Sequence, residues 1–270
     1  MANLKIMAIG NSFSDDCVKY LPDIARAQGA DGWIVANLYI GGCSLETHLE
    51  NARGNIKAYE YRKNMDGIWN NTPKTSLSDG LSDEKWDVIT MQQASGDSGI
   101  AETYAPLREL FGYVSRGRRG VRFLWNMTWA YQSDSDHPRF IDYRNDREVM
   151  YCAIVRTVRR EIAEGDSPFD GIIPTGTAVE NARLGSLGDT LTRDGYHLSD
   201  PIGRYLAALT WFRALTGENA RNALTEELEA VHGEFCDCVS RAFAKPWCAT
   251  SGIGRQMEQR KKQSAEKRST

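Results

Sequence analysis

Ser12 is the residue in this chain best placed to act as a nucleophile. It sits in Gly10-Asn11-Ser12-Phe13-Ser14, just past an apolar run and just before a helical pattern. A serine hydroxyl attacks poorly until a base takes its proton. Asp194-Gly195-Tyr196-His197 offers that base together with a carboxylate to orient it. On a tight turn both side chains can point the same way, and Gly195 permits the unusual backbone this requires. The chain order Ser, Asp, His is acceptable because such a triad is defined by geometry. Acyl transfer also needs donors for a developing oxyanion. The backbone N–H of Gly42 and the side-chain amide of Gln93 are the candidates. Each has a plainer, structural alternative: Ser12 as a helix N-cap with Asp15 at capping-box spacing, Gly42 as a turn, Gln93 as a polar strand end.

These residues gain weight from the elements around them. Apolar runs at 4–9, 33–40, 86–92, 121–127 and 169–174 read as five buried strands. Helical patterns fall at 15–28, 45–59, 104–115, 145–164, 177–183, 201–215 and 224–243. Alternation of this kind predicts an α/β fold with a five-stranded parallel sheet and helices on both faces, a three-layer α/β/α sandwich. In open parallel sheets ligands bind beyond the carboxyl ends of the strands. Ser12, Gly42 and Gln93 each follow a strand. Residues 60–84 are a long polar excursion with a small hairpin around Ile68-Trp69. One domain over 1–253 is expected. Residues 254–270 are basic with one apolar anchor, Met257, and read as a disordered tail.

Composition excludes several classes. The net charge is −3, which argues against a globally basic nucleic-acid binder. No run of 18 apolar residues exists, so no membrane span is expected. No signal-peptide pattern opens the chain, which as given reads as cytoplasmic; a periplasmic or secreted chain trimmed of its signal would look the same. The cysteines, at 17, 43, 152, 236, 238 and 248, form no CxxC pair and read as reduced thiols. His232 with Cys236 and Cys238 is too small a set for zinc. Asp15-Asp16 and Asp134/Asp136 read as solvated loop carboxylates rather than a cation site. No nucleotide-binding glycine motif is present. No cofactor or metal is expected. Seven tryptophans suggest either core filling or flat faces for a sugar.

The pattern resembles the SGNH, or GDSL-like, hydrolase superfamily, which has a flavodoxin-like fold. Gly10-Asn11-Ser12 matches the first block, Gly42 the second and Asp194-Gly195-Tyr196-His197 the last, DxxH block. The third block departs: the family has GxND, where this chain has Gln92-Gln93-Ala94-Ser95-Gly96-Asp97. Some carbohydrate-esterase branches carry Gln-Gly-Glu there, which makes Gln93 the substitute donor. The GNSFS form and Gly203-Arg204-Tyr205-Leu206 resemble an uncharacterised bacterial branch. The resemblance spans about residues 4–216 and implies a serine esterase acting on a short acyl ester, with acetyl as the acyl group and a carbohydrate as the alcohol. The rival expectations are a lysophospholipase or thioesterase, and an inactive glycan-binding relative.

Overall fold

A computed structural model describes residues 2–164 and 167–250; the basic tail lies outside them. The elements run β1 (Lys5–Gly10), α1 (Ser12–Val18), α2 (Leu21–Ala27), β2 (Ile34–Tyr39), α3 (Leu45–Gly54), β3 (Tyr59–Met65), β4 (Ile68–Thr75), α4 (Leu77–Asp83) and β5 (Val88–Met91). Then come α5 (Leu107–Ser115), β6 (Arg122–Asn126), α6 (Arg147–Val158), β7 (Gly171–Ile173), α7 (Thr175–Arg183), α8 (Ile202–Thr216) and α9 (Glu226–Ala244).

The sheet corrects the sequence expectation. It is mixed and has seven strands, in the order β4-β3-β2-β1-β5-β6-β7. Neighbours from β2 to β7 pair in parallel, while β3 and β4 pair antiparallel on the β2 edge. The added hairpin comes from the polar excursion, which also contains α4. Its strands are polar because the outer one is largely exposed, so they lack the apolar run that marks a central strand. Its turn is nevertheless legible: Asp66 and Gly67 both have positive φ (53° and 82°), as a two-residue type I′ turn demands.

Two helix boundaries also differ. The pattern at 15–28 is two helices, α1 and α2, with Pro22 in the first turn of α2; a proline cannot donate back into a preceding turn. Helix α3 ends at Gly54 because Asn55 adopts a left-handed cap, φ 46°.

Strand β5 is buried at every position, and β1 at all but its first residue. Both faces of the sheet are therefore covered. The helices pack as two groups: α1, α2, α7, α8 and α9 against one another, and α3 against α4 and α5. Gly10 pairs with Tyr39, and Ile9 with Met91, so β1, β2 and β5 end at one level. The chain crosses from β1 outward to β2 on one side and from β5 outward to β6 on the other, which opens a crevice above that end of the sheet between β1 and β5.

Five of the seven tryptophans, Trp33, Trp86, Trp125, Trp129 and Trp211, are buried in the core, and Trp69 and Trp247 pack on its margin. All six cysteines are unpaired. No helix among the described residues is long and apolar enough to cross a membrane.

Helix α8 lies tightly on the loop that carries His197. A Cβ on Gly203 would sit 2.3 Å from the Leu191 carbonyl oxygen. That backbone cannot yield as a flexible side chain would. Overpacking costs about 1–3 kcal/mol, whereas the gain in helix propensity from glycine to alanine is about 1 kcal/mol. Gly203→Ala is therefore expected to lose roughly 2 kcal/mol of stability, read from the urea unfolding midpoint; an unchanged or higher midpoint would contradict this packing.

Candidate active site

Ser12 is the first residue of α1, and the position before it decides its freedom. Asn11 is the N-cap, its Oδ1 accepting from Phe13 N at 3.0 Å. The capping function falls to Asn11, and the Ser12 hydroxyl is left for other work. It lies 2.8 Å from His197 Nε2. His197 Nδ1 is 2.7 Å from Asp194 Oδ2. A carboxylate only accepts, so in the neutral ring Nδ1 carries the proton and Nε2 is the acceptor facing the serine. Asp194 Oδ1 also accepts from His197 N at 2.8 Å and Tyr196 N at 3.3 Å. Partial burial pushes the Asp194 carboxyl up, but the bonds from His197 and Tyr196 outweigh it, and the carboxyl settles below its ordinary value.

The loop bearing Asp194 and His197 is tied down from several sides. Gly195, at φ +86°, makes the turn, and a Cβ there would meet Ser135 Cα at 2.9 Å. Gln132 N donates to the Gly195 carbonyl at 2.7 Å. Trp129, stacked on Phe13 with ring centroids 4.1 Å apart, donates Nε1–H to the Tyr196 carbonyl at 2.8 Å. The strongest tie is Asp16, on α1 beside the serine. Its Oδ2 accepts from Leu198 N at 2.8 Å, and its Oδ1 pairs with Arg204 Nε at 2.8 Å and Arg193 Nη1 at 3.1 Å. Burial pushes the Asp16 carboxyl up, and the two guanidiniums offset only part of that push.

A cleft of about 350 Å³ opens over this pair, lined by Ser12, Gly42, Ser95, His137 and His197, with Phe13, Tyr39 and Tyr196 as its aromatic walls. Gly42 sits at φ +63° in the turn closed by Cys43 N donating to the Ile40 carbonyl at 3.2 Å. A Cβ on Gly42 would meet nothing within 4 Å, so the backbone angle, not space, calls for glycine. Burial pushes the neighbouring Cys43 thiol up to about 12, which makes it a poor rival nucleophile. Tyr39 is covered by Arg62, whose guanidinium carbon lies 3.8 Å from the ring centroid and which pairs with Asp15 at 2.8 Å.

Ser12, Gly42 and His197 thus line one cleft, with Asp194 bonded to His197 beside it. Gln93 does not. Its Nε2 donates to the Thr103 carbonyl (2.9 Å) and hydroxyl (3.0 Å), and its Oε1 accepts from Leu45 N (3.0 Å) and Ala94 N (2.8 Å). Its amide is fully engaged below the cleft and is no free donor. Gln92, also just past β5, has different partners, and its Nε2 is engaged as well, donating to Asn11 Oδ1 at 2.9 Å. From that loop it is Ser95 that lines the cleft. Asp15 and Asp16 are both ion-paired with arginines, and Asp16 is buried rather than solvated. Among the described residues no cluster of His, Cys, Asp and Glu could hold a metal. No tryptophan lines the cleft, so the aromatic content gives no argument for a sugar.

Residues 5–234 match the family described as a domain of unknown function, DUF4886. A crystal structure of a DUF4886 family protein from Bacteroides uniformis superposes with a TM-score of 0.88 at 40% identity, covering 94% of this chain and 99% of that one. A candidate SGNH hydrolase from Slackia heliotrinireducens aligns with TM-score 0.52 and 20% identity, over 79% of this chain and all (100%) of that chain. A catalytic mutant of an acetylxylan esterase from Geobacillus stearothermophilus aligns with TM-score 0.55 and 16% identity, over 83% and 99%. The fold is therefore that of the SGNH hydrolases. A search of curated proteins finds no match.

Removing the Gln93 amide strands the Leu45 and Ala94 N–H groups in a buried setting, at about 1–3 kcal/mol for each group left unmade. Gln93→Ala is expected to lower unfolding stability by about 3 kcal/mol, measured by urea titration. A variant as stable as the parent would show that these bonds contribute nothing.

Proposed function

The chain belongs to the DUF4886 family, and from that premise and the geometry of the cleft we propose that it is a serine esterase. One observation carries the reading: the unbroken line from Ser12 Oγ to His197 Nε2 (2.8 Å) and from His197 Nδ1 to Asp194 (2.7 Å), opening into a cleft. The SGNH-type fold of the acetylxylan esterase supports the hydrolase class.

Ser12 Oγ attacks the ester carbonyl carbon while His197 Nε2 takes the hydroxyl proton. Asp194 holds the imidazole in the tautomer with the proton on Nδ1 and stabilises the imidazolium. The carbonyl oxygen becomes an oxyanion beside the backbone N–H groups of Ser12 and Gly42. The first N–H of a helix has no intrahelical acceptor, so that of Ser12 is free for this use. Collapse of the intermediate breaks the carbon–oxygen bond, and His197 returns the proton to the leaving alcohol. Water, its proton taken by His197, then attacks the acyl-enzyme; the bond from the acyl carbon to Ser12 Oγ breaks, the carboxylic acid leaves, and His197 returns the proton to the serine.

The substrate we propose is a short acyl group, acetyl, on a carbohydrate. The cleft is small, and the Asp15–Arg62 pair, Arg193 and Tyr39 give it a polar rim suited to hydroxyl groups. A long acyl chain would need a broader apolar wall than Phe13, Tyr39 and Tyr196 provide.

Ser12→Ala is expected to reduce kcat on p-nitrophenyl acetate by at least about 10⁴-fold without loss of stability, and Asp194→Asn by about 10⁴-fold. Parental turnover in Ser12→Ala would refute the nucleophile assignment.

A further inference from the structure

We infer that the Ser95 hydroxyl, polarised by the buried hydroxyl of Tyr131, is a third oxyanion donor in this cleft; the inference rests on the esterase reading and extends it to a residue outside the triad.

Two backbone N–H groups face the acyl oxygen in the mechanism above, and a tetrahedral oxyanion can accept further bonds. The loop after β5 closes the side of the cleft opposite Gly42. Both of its glutamine amides are engaged elsewhere, Gln92 with Asn11 and Gln93 with Thr103. Ser95 is the residue of that loop that lines the cleft with Ser12 and Gly42.

The direction of its proton follows from Tyr131. The two hydroxyl oxygens are 2.9 Å apart. Tyr131 is fully buried, and among the described residues Ser95 Oγ is the hydrogen-bond partner of its hydroxyl. Were Ser95 the donor, the phenolic proton would be left buried without an acceptor, a costly arrangement. Tyr131 therefore donates to Ser95, and the Ser95 proton is free to turn into the cleft. A hydroxyl that accepts one hydrogen bond is a better donor of the next. No proton is transferred: Ser95 contributes a hydrogen bond that strengthens as charge gathers on the carbonyl oxygen and relaxes when the intermediate collapses. Ser95, which lines the cleft with Ser12, is the residue of the two that would bond the oxyanion; Tyr131 positions and polarises it.

The test uses the full chain and p-nitrophenyl acetate, with kcat and KM read separately and the unfolding midpoint recorded. Removing one oxyanion donor typically costs about 10²–10³ in kcat. Ser95→Ala should lose about 10²-fold in kcat, with KM nearly unchanged because the ground-state carbonyl gains little from the bond. Ser95→Thr keeps the hydroxyl and should recover most of that loss. Tyr131→Phe leaves the donor but removes its polarising partner, and should lose less than Ser95→Ala. Parental kcat in Ser95→Ala, a loss confined to KM, or a loss that threonine does not repair would each overturn the inference. So would a Tyr131→Phe loss as large as that of Ser95→Ala. Ser12→Ala is assayed alongside. If it is dead while Ser95→Ala is fully active, this inference alone fails; if it turns over at the parental rate, the esterase reading fails and takes this one with it.

Discussion

A single file of buried hydrogen bonds runs across the carboxyl ends of the parallel strands, and the cleft is built on top of it. Thr175, after β7, donates to Asn126 Oδ1 (2.7 Å) at the end of β6. Asn126 donates to Gln92 Oε1 (2.9 Å) past β5, and Gln92 to Asn11 Oδ1 (2.9 Å) past β1. Asn11 in turn donates to the Cys43 carbonyl (3.1 Å) past β2. Every donor points the same way, from the β7 edge toward β2. All four side chains are buried, where an unpaired amide would be costly and where aligned bonds polarise one another. The file sets where each strand's loop departs. Asn11 is its pivot, because the oxygen that accepts from Gln92 also caps α1 and so fixes the start of the helix that presents Ser12.

A second constraint is electrostatic. Asp16 stands four residues beyond the Asn11 pivot's neighbour, buried within α1, and faces two arginines and a backbone N–H from the far end of the chain. Removing a charge from water is expensive, and an ion cluster of this kind contributes little to stability beyond repaying that cost. Its effect is on position. The helix that carries the serine and the loop that carries the histidine are gripped by the same carboxylate, and Arg204 extends the grip to Asp200 at 2.6 Å.

These devices explain which parts of the site could be read from residues alone. The proximity of Ser12, Gly42 and the Asp194/His197 pair is legible because each belongs to a short local pattern next to a strand end or turn. The five parallel strands are legible for the same reason, as apolar runs between turns. Gln93 is misleading because Gln92 and Gln93 are the same residue type at the same strand end, and only tertiary partners show that one belongs to the amide file and the other to Thr103. Asp16 is opaque because an acidic residue early in a helix looks solvated until arginines from residues 193 and 204 are brought to it. The β3–β4 hairpin is obscured by its polar, exposed strands, although Asp66-Gly67 marks its turn.

The distance along the chain between Ser12 and His197 has a consequence for how the protein comes to life. They are 185 residues apart, and the Asp16 contacts span 177 to 188 residues. Contacts of such range close only after the intervening chain has been laid down and folded, since their loop-closure entropy is met late. During synthesis the serine and its cap emerge well before the base and its carboxylate, which follow only at residues 194 and 197. A nascent or truncated chain lacking its last third therefore carries a serine with no base beside it. Assembly of the hydroxyl–imidazole pair reports that the fold is complete.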